Sequence, residues 1–317
     1  MGQMKKVVVA GGSGCIGREV CKAFNESGYD VVVLSRSGKS VAGARAVRWD
    51  AQSLGAWQSE IDGAEAVVNL CGESLMQRWT DKSVRLMHDS RIGTTKLIGE
   101  AIMAAGAQPQ AWVNGSAVGW YGDSGHREVS EGMLAAEGMV GKLCKDWEAA
   151  VDAVHAPNVS KTKLRIGLVL GNGCAYFDRM KLLTKLLHGG PMGSGKQYVS
   201  WIHVGDLSRM VVWAIENQIS GVLNATAPNP VNNAEIMVEF RRALGMPFGI
   251  PSPEFAIKAM CGLMGWNPSF LLGGTRAVPA IALGNGFVFD YPEIRQALES
   301  LIDETPKAWK DSPLATP

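Results

Sequence analysis

Residues 11–17 read Gly-Gly-Ser-Gly-Cys-Ile-Gly, and this glycine-rich stretch decides the fold class. It follows the apolar run Val7–Ala10 and precedes Arg18–Ser27, a segment compatible with a helix. A strand, a glycine turn and a helix in that order are the setting in which such a stretch binds a dinucleotide. The first two glycines permit a tight turn, Gly14 permits close approach of the backbone to a pyrophosphate, and Gly17 permits packing of the helix on the sheet. Because the free N–H groups at the start of that helix attract phosphates, we predict dinucleotide binding here.

The second predicted strand, Asp30–Leu34, ends in Ser-Arg-Ser at residues 35–37. An NAD-binding fold places an acidic residue near this point to hold the ribose 2′-hydroxyl. No acidic residue stands there, since Asp30 lies at the other end of the strand. A guanidinium at Arg36, supported by Ser35, suits a 2′-phosphate because it can donate two parallel hydrogen bonds. The alternative is a solvated surface arginine; we predict NADP(H) as the cofactor.

Composition indicates a globular protein and excludes several partner classes. The 317 residues are 46% hydrophobic and carry a net charge of +1 with no long run of one sign, so we expect no nucleic-acid partner. The longest apolar stretch, residues 255–274, is interrupted by Lys258, Asn267 and Pro268, so we expect no membrane span. The chain starts without the pattern of a secretory signal. These features favour a cytoplasmic protein.

The six cysteines show neither a C-x-x-C pair nor a metal-ligand spacing with histidine. In a cytoplasmic protein, cysteines are expected to be reduced and to serve mostly as small core residues. We therefore predict free thiols and no metal site.

Strands and helices alternate through the first half of the chain, which predicts an α/β fold with a doubly wound parallel sheet. Ligands of such sheets bind outside the carboxyl ends of the strands. We predict a nucleotide-binding domain from residues 1–171 plus about 203–228. A smaller, mostly helical substrate-type domain is predicted from about 172–202 and 229–317. The expected strands cover 46–49, 64–70, 111–116, 163–170 and 221–227, and the expected helices cover 83–105, 138–154, 203–217, 232–244 and 291–302.

Several longer strings carry a family resemblance. They are NLCGESL at 69–75, SRIGTTKL at 90–97, NGSAVGWYG at 114–122 and GGPMGSGKQYVSWIHVGDL at 189–207. Together with the glycine loop they resemble the extended branch of the short-chain dehydrogenase/reductase superfamily, and within it the YfcH-type epimerase family proteins. The resemblance implies a Rossmann domain of the extended type, a small C-terminal substrate-type domain and NADP(H) binding. In many relatives the helices predicted at 83–105 and 138–154 form a dimer face, so a homodimer is implied. Some members of the group are labelled cell division inhibitor.

The resemblance also assigns cofactor contacts residue by residue. The glycine loop supplies phosphate contacts, Ser35 and Arg36 the 2′-phosphate pair, and the segment after the fourth strand a contact near the nicotinamide half. Arg91 falls where the group has a cofactor-facing arginine, and Val169 would lie beside the nicotinamide. The full predicted set is Gly11, Ser13, Gly14, Cys15, Ile16, Gly17, Ser35, Arg36, Leu70, Cys71, Gly72, Glu73, Arg91 and Val169.

The usual catalytic pair of the superfamily is missing. Standard members use a serine together with a tyrosine that stands four residues before a lysine, which lowers the pKa of the tyrosine for proton transfer. Ser116 matches the serine, but the tyrosine and lysine positions, counted back from Glu148, fall on Val140 and Cys144. None of the five tyrosines has a lysine four residues later. The resemblance implies the same absence, because this group lacks the usual active-site residues.

Two residues could replace the missing proton donor. Tyr121 lies five residues after Ser116 at the same predicted strand end, and Glu73 follows the fourth strand. The alternative for Tyr121 is a packed ring with a hydrogen-bonded hydroxyl; Glu73 could instead bind the cofactor. His203 is expected to anchor a helix start with Asp206. Trp79, Gln197 and Trp201 are candidates to line a substrate cleft; the alternative for the two tryptophans is the protein core, where Trp is found as often.

Two functions remain open from the sequence. One is an NADP(H)-dependent oxidoreductase or nucleotide-sugar epimerase with a rearranged proton donor, acting on a small-molecule substrate that the sequence does not identify. The other is a non-catalytic NADP(H)-binding sensor or regulatory protein.

Overall fold

The computed structural model describes residues 4–41 and 43–303, and a seven-stranded sheet forms its centre. The strands are β1 Lys6–Ala10, β2 Asp30–Ser35, β3 Arg45–Arg48, β4 Ala66–Asn69, β5 Ala111–Ala117, β6 Glu128–Val129, β7 Ser160–Ile166, β8 Leu168–Leu170, β9 Tyr198–Val199, β10 Trp201–His203, β11 Gly221–Ala225, β12 Val231–Asn232 and β13 Arg276–Ala277. The central sheet has the strand order β11-β7-β5-β4-β1-β2-β3, and every pairing in it is parallel. The predicted doubly wound parallel sheet is therefore confirmed.

Helices cover both faces of the sheet because its central strands are apolar on both sides. In β1, Val7 and Val9 pack in a core with helices α1 and α6, whereas Val8 packs in a second core on the opposite face with α3 and α4. The helices are α1 Cys15–Glu26, α2 Asp81–His88, α3 Thr94–Ala104, α4 Met139–Asp152, α5 Ala175–Lys185, α6 Val204–Glu216, α7 Asn233–Ala243, α8 Glu254–Met264, α9 Ser269–Leu272, α10 Ala280–Gly284 and α11 Ile294–Asp303.

The predicted strand at 163–170 is broken at Gly167. Its first part is β7 of the main sheet, whereas its second part, β8, leaves that sheet and pairs in parallel with β10. A Cβ at Gly167 would overlap the carbonyl oxygen of Ser200, so only glycine permits this close crossing. The break places Val169 in a separate two-stranded sheet with β10.

The predicted long helix at 83–105 is divided into three parts. A π-helical turn at Asp89–Gly93 separates α2 from α3. Such turns insert extra backbone into a helix and are frequent at functional sites. Here the turn contains Arg91, whose side chain is directed into the protein and is only 8% exposed.

The second half of the chain builds a third core from α5, α7 and α11. Its centre includes Phe177, Trp201 and Phe240, all fully buried. The strand β11 returns to the edge of the main sheet beside β7. The division into two domains at the predicted boundaries stays a prediction, and its ends at 1–3 and 304–317 lie outside the described residues. No helix in the described part of the chain is long and apolar enough to cross a bilayer.

The predicted role of His203 as a helix anchor is confirmed. Its Nδ1 accepts a hydrogen bond from the backbone N–H of Gly205 at 3.0 Å, which caps α6. Asp206 instead accepts hydrogen bonds from the backbone N–H groups of Asp290 and Tyr291, both at 2.9 Å. The two residues therefore hold the start of α6 by separate contacts.

The buried cap at His203 makes stability depend on pH. Burial lowers the pKa of His203 from its usual 6.5 to about 4, against a smaller opposite effect of Asp206. Between those values the unfolded chain binds a proton that the folded chain does not, so we expect the free energy of unfolding to fall as pH decreases from about 6.5 to about 4. Urea unfolding at several pH values measures this slope. His203→Asn keeps a capping acceptor but removes the titrating imidazole, so its free energy of unfolding should depend less steeply on pH. An unchanged dependence would show that other groups cause it.

Candidate functional site

The glycine loop between β1 and α1 has the geometry of a phosphate cradle. Gly11 has a φ of +82°, and a Cβ there would lie 2.8 Å from the carbonyl carbon of Leu70 at the end of β4. A Cβ at Gly17 would overlap the carbonyl oxygen of Gly11, so this glycine holds α1 against the loop. A Cβ at Gly14 would meet only one atom within 4 Å, the Gly11 oxygen at 3.5 Å, and otherwise faces open space. The three glycines thus leave room for a ligand at Gly14 alone.

The start of α1 is open to an anion. Gly14 is its N-cap, no side chain caps it, and the first turn contains no acidic residue. The N–H groups at an uncapped helix start carry partial positive charge and attract phosphate oxygens. Arg18 adds a fixed cation beside the loop, because its Nη1 donates to the carbonyl oxygen of Ser13 at 2.9 Å. The loop therefore fits the pyrophosphate of a dinucleotide.

Two arginines lie at the carboxyl ends of β2 and β3. Arg36 and Arg48 line one cavity of about 360 Å³ together with Asp50. Neither guanidinium has an ion pair or a hydrogen bond within the described residues. Asp50 does not neutralise them directly, because its carboxylate accepts hydrogen bonds from Ser53 and from the backbone N–H of Gln52, which lower its pKa to about 2. The edge therefore presents two unpaired cations to a ligand.

Sequence reasoning found Arg36 but missed Arg48. Arg48 is placed opposite Ser35 by the parallel register of β2 and β3. The Ser35 hydroxyl lies 3.1 Å from that of Ser37, so hydroxyl groups and guanidinium groups share this corner. The signal that could have found Arg48 was its position at the carboxyl end of the third predicted strand. A phosphomonoester dianion would match this set of donors.

Arg91 is a buried cation that forms no ion pair within residues 4–41 and 43–303. Its Nη1 donates to the carbonyl oxygen of Met87 at 3.1 Å, and its guanidinium lies 5.2 Å from the centre of the Trp147 ring. A Cβ at Gly72 would be 3.2 Å from the guanidinium carbon, so Arg91 lies directly against the segment after β4. Burial lowers the pKa of Arg91, although the neighbouring Cys144 and Glu73 act in the opposite direction. Only one hydrogen bond of its five-donor guanidinium is formed within the described residues, so donors stay available to a ligand.

Cys144, which the family resemblance puts at the position of the missing lysine, is near enough to Arg91 for their charges to interact. Burial raises the pKa of the Cys144 thiol to about 12, partly offset by the charge of Arg91. A Cβ at Gly119 would lie 2.6 Å from Cγ1 of Val140, the residue at the missing tyrosine position. Neither residue can transfer a proton near neutral pH. Arg91 is therefore a cation close to the position at which the resemblance expects the lysine.

Ser116 and Tyr121 are held in a buried polar network. The Ser116 hydroxyl donates to Glu148 Oε1 at 2.7 Å, and Arg165 donates to both Glu148 oxygens at 2.8 and 2.9 Å. The Tyr121 hydroxyl donates to Asn224 Oδ1 at 2.7 Å and accepts from Arg165 at 2.9 Å. Burial raises the pKa of Tyr121 despite the hydrogen bond from Arg165. This geometry matches the packed alternative for Tyr121, and the predicted catalytic roles of the two residues stay untested.

Glu73 has the most open position of the three predicted catalytic residues. It is half-buried, and its backbone N–H donates to the hydroxyl of Ser90 at 2.9 Å. Its carboxylate is near enough to Arg91 to favour the charged guanidinium. No hydrogen bond to its side chain is formed within the described residues. Glu73 can therefore contact a ligand without breaking an internal contact.

The expectation that all cysteines are free is wrong. Cys15 and Cys174 form a disulfide, with their Cα atoms 5.3 Å apart. The prediction failed because the two residues are separated by 159 positions and only the fold brings them together. Cys21, Cys71, Cys144 and Cys261 are free, as predicted.

The three predicted cleft residues have different environments. Trp201 is fully buried, and its indole N–H donates to the carbonyl oxygen of Asn229, so the expectation that it lines a cleft is wrong. Gln197 donates to two carbonyl oxygens, those of Met192 and Leu271. Trp79 is half-buried and packs against Phe270, with ring centres 5.7 Å apart.

Two further cavities lie away from the predicted cofactor and catalytic residues. Two cavities of about 370 and 570 Å³ both include Lys5 and Glu65, at the amino edge of the sheet. Ligands of parallel sheets bind at the carboxyl edge, where the glycine loop lies. Within residues 4–41 and 43–303, no group of three or more His, Cys, Asp or Glu side chains could hold a metal ion.

Comparison with known proteins gives two family matches. Residues 7–225 match the NAD dependent epimerase/dehydratase family, and residues 252–301 match a domain of unknown function, DUF1731. Among relatives, an epimerase family protein of Mycobacterium leprae, ML0860, is 36% identical over 92% of this chain and 94% of its own length.

Two solved structures are also similar. The human epimerase family protein SDR39U1, crystallised with NADPH, has a TM-score of 0.84 and 32% identity over 94% of this chain and 99% of the human chain. A nucleoside-diphosphate sugar epimerase from Corynebacterium glutamicum has a TM-score of 0.76 and 26% identity, over 95% of this chain and 58% of that chain.

Proposed function

This chain belongs to the NAD dependent epimerase/dehydratase family, and we propose that it binds NADP(H) along the carboxyl edge of its sheet as a redox cofactor. The proposal rests on Arg36 and Arg48, which line one cavity at the end of β2 and have no ion pair or hydrogen bond to any residue that the structure describes. A 2′-phosphate is the group that distinguishes NADP(H) from NAD(H), and it is the natural counterion for this pair. The similar human protein was crystallised with NADPH, which supports the same cofactor here.

The remaining cofactor contacts would lie along the carboxyl edge of the sheet, in the order of the parts of the dinucleotide. The glycine loop at 11–17 would hold the pyrophosphate, with Ser13, Cys15 and Ile16 at the start of α1. Leu70 and Cys71 would line the middle of the site. Arg91 would bind near the nicotinamide ribose, because it is a buried cation beside the missing lysine position. Val169 would lie beside the nicotinamide, as the family resemblance implies.

The bound cofactor would supply hydride chemistry to a small-molecule substrate of the nucleotide-sugar or carbonyl class. The structurally similar Corynebacterium protein is named a nucleoside-diphosphate sugar epimerase, which supports that class. We assign the proton-transfer role to Glu73. Its side chain makes no hydrogen bond to any of the described residues, whereas the hydroxyl groups of Ser116 and Tyr121 already have partners.

A second candidate function is favoured by the buried network. If Ser116 and Tyr121 serve only to hold β5 against its neighbours, the site can bind nucleotide without turnover. The protein would then be an NADP(H)-binding sensor or regulatory protein. The absence of a Tyr-x-x-x-Lys sequence anywhere in the chain supports this alternative.

Two substitutions distinguish these functions. We expect Glu73→Gln to remove most turnover of any substrate found by following NADPH absorbance across sugar nucleotides and small carbonyls. We expect Tyr121→Phe to keep turnover and to lower the free energy of unfolding by about 1–3 kcal/mol, because Asn224 and Arg165 each lose a buried hydrogen-bond partner.

The opposite pattern would reassign the proton donor. Activity that survives in Glu73→Gln but disappears in a folded Tyr121→Phe protein would make Tyr121 catalytic. Tight NADPH binding with no turnover of any tested substrate would favour the sensor.

A further inference from the structure

The Cys15–Cys174 bridge joins two segments that border the proposed cofactor site. Cys15 is the first residue of α1 in the phosphate loop, and Cys174 is the N-cap of α5, just after β8. We propose that these cysteines form a reversible thiol–disulfide pair whose oxidation state sets the affinity for NADP(H). The inference rests on the proposed NADP(H) binding and adds a regulatory modification site to it.

The surroundings of this pair favour thiol exchange. Both cysteines stand at helix starts, where the helix dipole stabilises a thiolate. Arg18 lies between the two segments. Its Nη1 donates to the carbonyl oxygen of Ser13, and its Nη2 would lie 3.1 Å from a Cβ at Gly173. The Arg18 guanidinium therefore lies beside Ser13, two residues before Cys15, and beside Gly173, the residue before Cys174.

The other cysteines lack these features. Burial raises the pKa of Cys21, Cys71 and Cys144 to about 12 and also raises that of Cys261, so their thiols stay protonated. Cys15 is partly exposed and can be reached by a small thiol or disulfide; Cys71 is partly exposed too, but its thiol stays protonated and is a poor nucleophile. Oxidation is thus expected to be selective for the bridge.

The exchange requires only a low-molecular-weight disulfide such as glutathione disulfide. The Cys15 thiolate attacks one sulfur of that disulfide, a mixed disulfide forms, and one small thiol leaves. The Cys174 thiolate then attacks the Cys15 sulfur and releases the second small thiol. Two electrons pass from the protein dithiol to the small disulfide, and the two protons from the cysteines end on the released thiols. The reverse reaction with excess small thiol restores the dithiol.

The bridged state is the one with the open phosphate cradle described above. In that state a covalent link fixes the start of α1 relative to α5. After reduction, the two sulfur atoms must separate to ordinary van der Waals contact, so the link between the loop and α5 is lost. Because a preorganised site loses less entropy when it binds its ligand, the oxidised protein should bind NADPH more tightly, by about tenfold.

The test uses the full chain equilibrated in glutathione buffers of defined ratio. Alkylation followed by intact-mass measurement gives the oxidised fraction, and calorimetry gives the Kd of NADPH in the same buffers. We expect the Kd to rise about tenfold on reduction. Saturating NADPH should also shift the half-oxidation point toward more reducing buffers by the same factor, since coupling between two equilibria is reciprocal.

Variants separate this inference from the proposed function. Cys174→Ser should bind NADPH with a Kd independent of the buffer, whereas Cys261→Ser should respond like the wild type. An NADPH Kd that is equal in oxidised and reduced wild type overturns the switch while leaving NADP(H) binding intact. A pair that stays reduced in every buffer also overturns it. Failure of NADPH to bind either form overturns the proposed function, and the alkylation result still reports the state of the pair.

Discussion

Replacing Arg165 with methionine is expected to lower the free energy of unfolding by about 3–5 kcal/mol. Arg165 is 2% exposed, and its guanidinium donates to both carboxylate oxygens of Glu148. It also lies over the Trp120 ring at 3.8 Å from the ring centre. Methionine keeps an apolar stem of similar length but leaves the Glu148 carboxylate buried without its counterion. The large cost comes from that uncompensated charge.

Urea unfolding of wild type and variant measures this effect, and the same strand offers a matched control. Lys163 forms an ion pair with Asp152 at 2.8 Å, but Asp152 is largely exposed. Lys163→Met should therefore cost less than about 1 kcal/mol. The double replacement Arg165→Met with Glu148→Leu should recover much of the loss, because it removes both charges. If Arg165→Met costs no more than Lys163→Met, the network does not support the fold as described.

The network also explains why the site could not be fully predicted from the sequence. Ser116, at the end of a predicted strand, was found because it matches the serine of the family motif. Its partner Glu148 was recognised only as a helix position, and Arg165 not at all. These residues come from β5, α4 and β7, and only the packing of that helix on two neighbouring strands makes them contacts. Local patterns predict elements, whereas buried polar partners depend on the tertiary fold.

The sheet and the glycine loop, in contrast, were predictable because their signals are local. The apolar run Val7–Ala10 indicates a buried strand, and the glycines at 11, 14 and 17 indicate the tight turn that follows it. Both patterns can be read from residues adjacent in the chain. The π-helical turn around Arg91 and the break at Gly167 left no such signal. Both depend on contacts with distant segments. The turn changes the position of Arg91 from the one it would have in a continuous α-helix, and the break moves Val169 out of the main sheet.

Replacing Arg36 with alanine is expected to weaken NADPH binding by about 10- to 100-fold and to leave NADH binding almost unchanged. A hydrogen bond to a charged group contributes about 1.5–3 kcal/mol, and only NADPH carries the 2′-phosphate that would receive it. Arg48→Ala should act in the same direction, since the two guanidinium groups border one cavity. Replacing both should have the larger effect.

A control in β3 tests whether the loss of any positive charge in this region weakens nucleotide binding. Arg45 precedes Arg48 in β3 but is paired with Glu60 through two hydrogen bonds, at 2.9 and 2.7 Å. Arg45→Ala should therefore leave the affinity for both nucleotides close to that of the wild type. Equal losses for NADPH and NADH in Arg36→Ala would show that Arg36 acts on the shared part of the nucleotide and not on the 2′-phosphate.

NADP(H) binding through the phosphate cradle and the arginine pair at the carboxyl edge of the sheet is the function that we propose for this family member. Calorimetric titration of the unmodified protein with NADPH and with NADH, in the same buffer, tests it most directly. The structure predicts saturable binding of NADPH at one site per chain, at least tenfold tighter than NADH, as expected for a 2′-phosphate held by a guanidinium. Equal affinity for the two nucleotides, tighter binding of NADH, or no binding of either would contradict it.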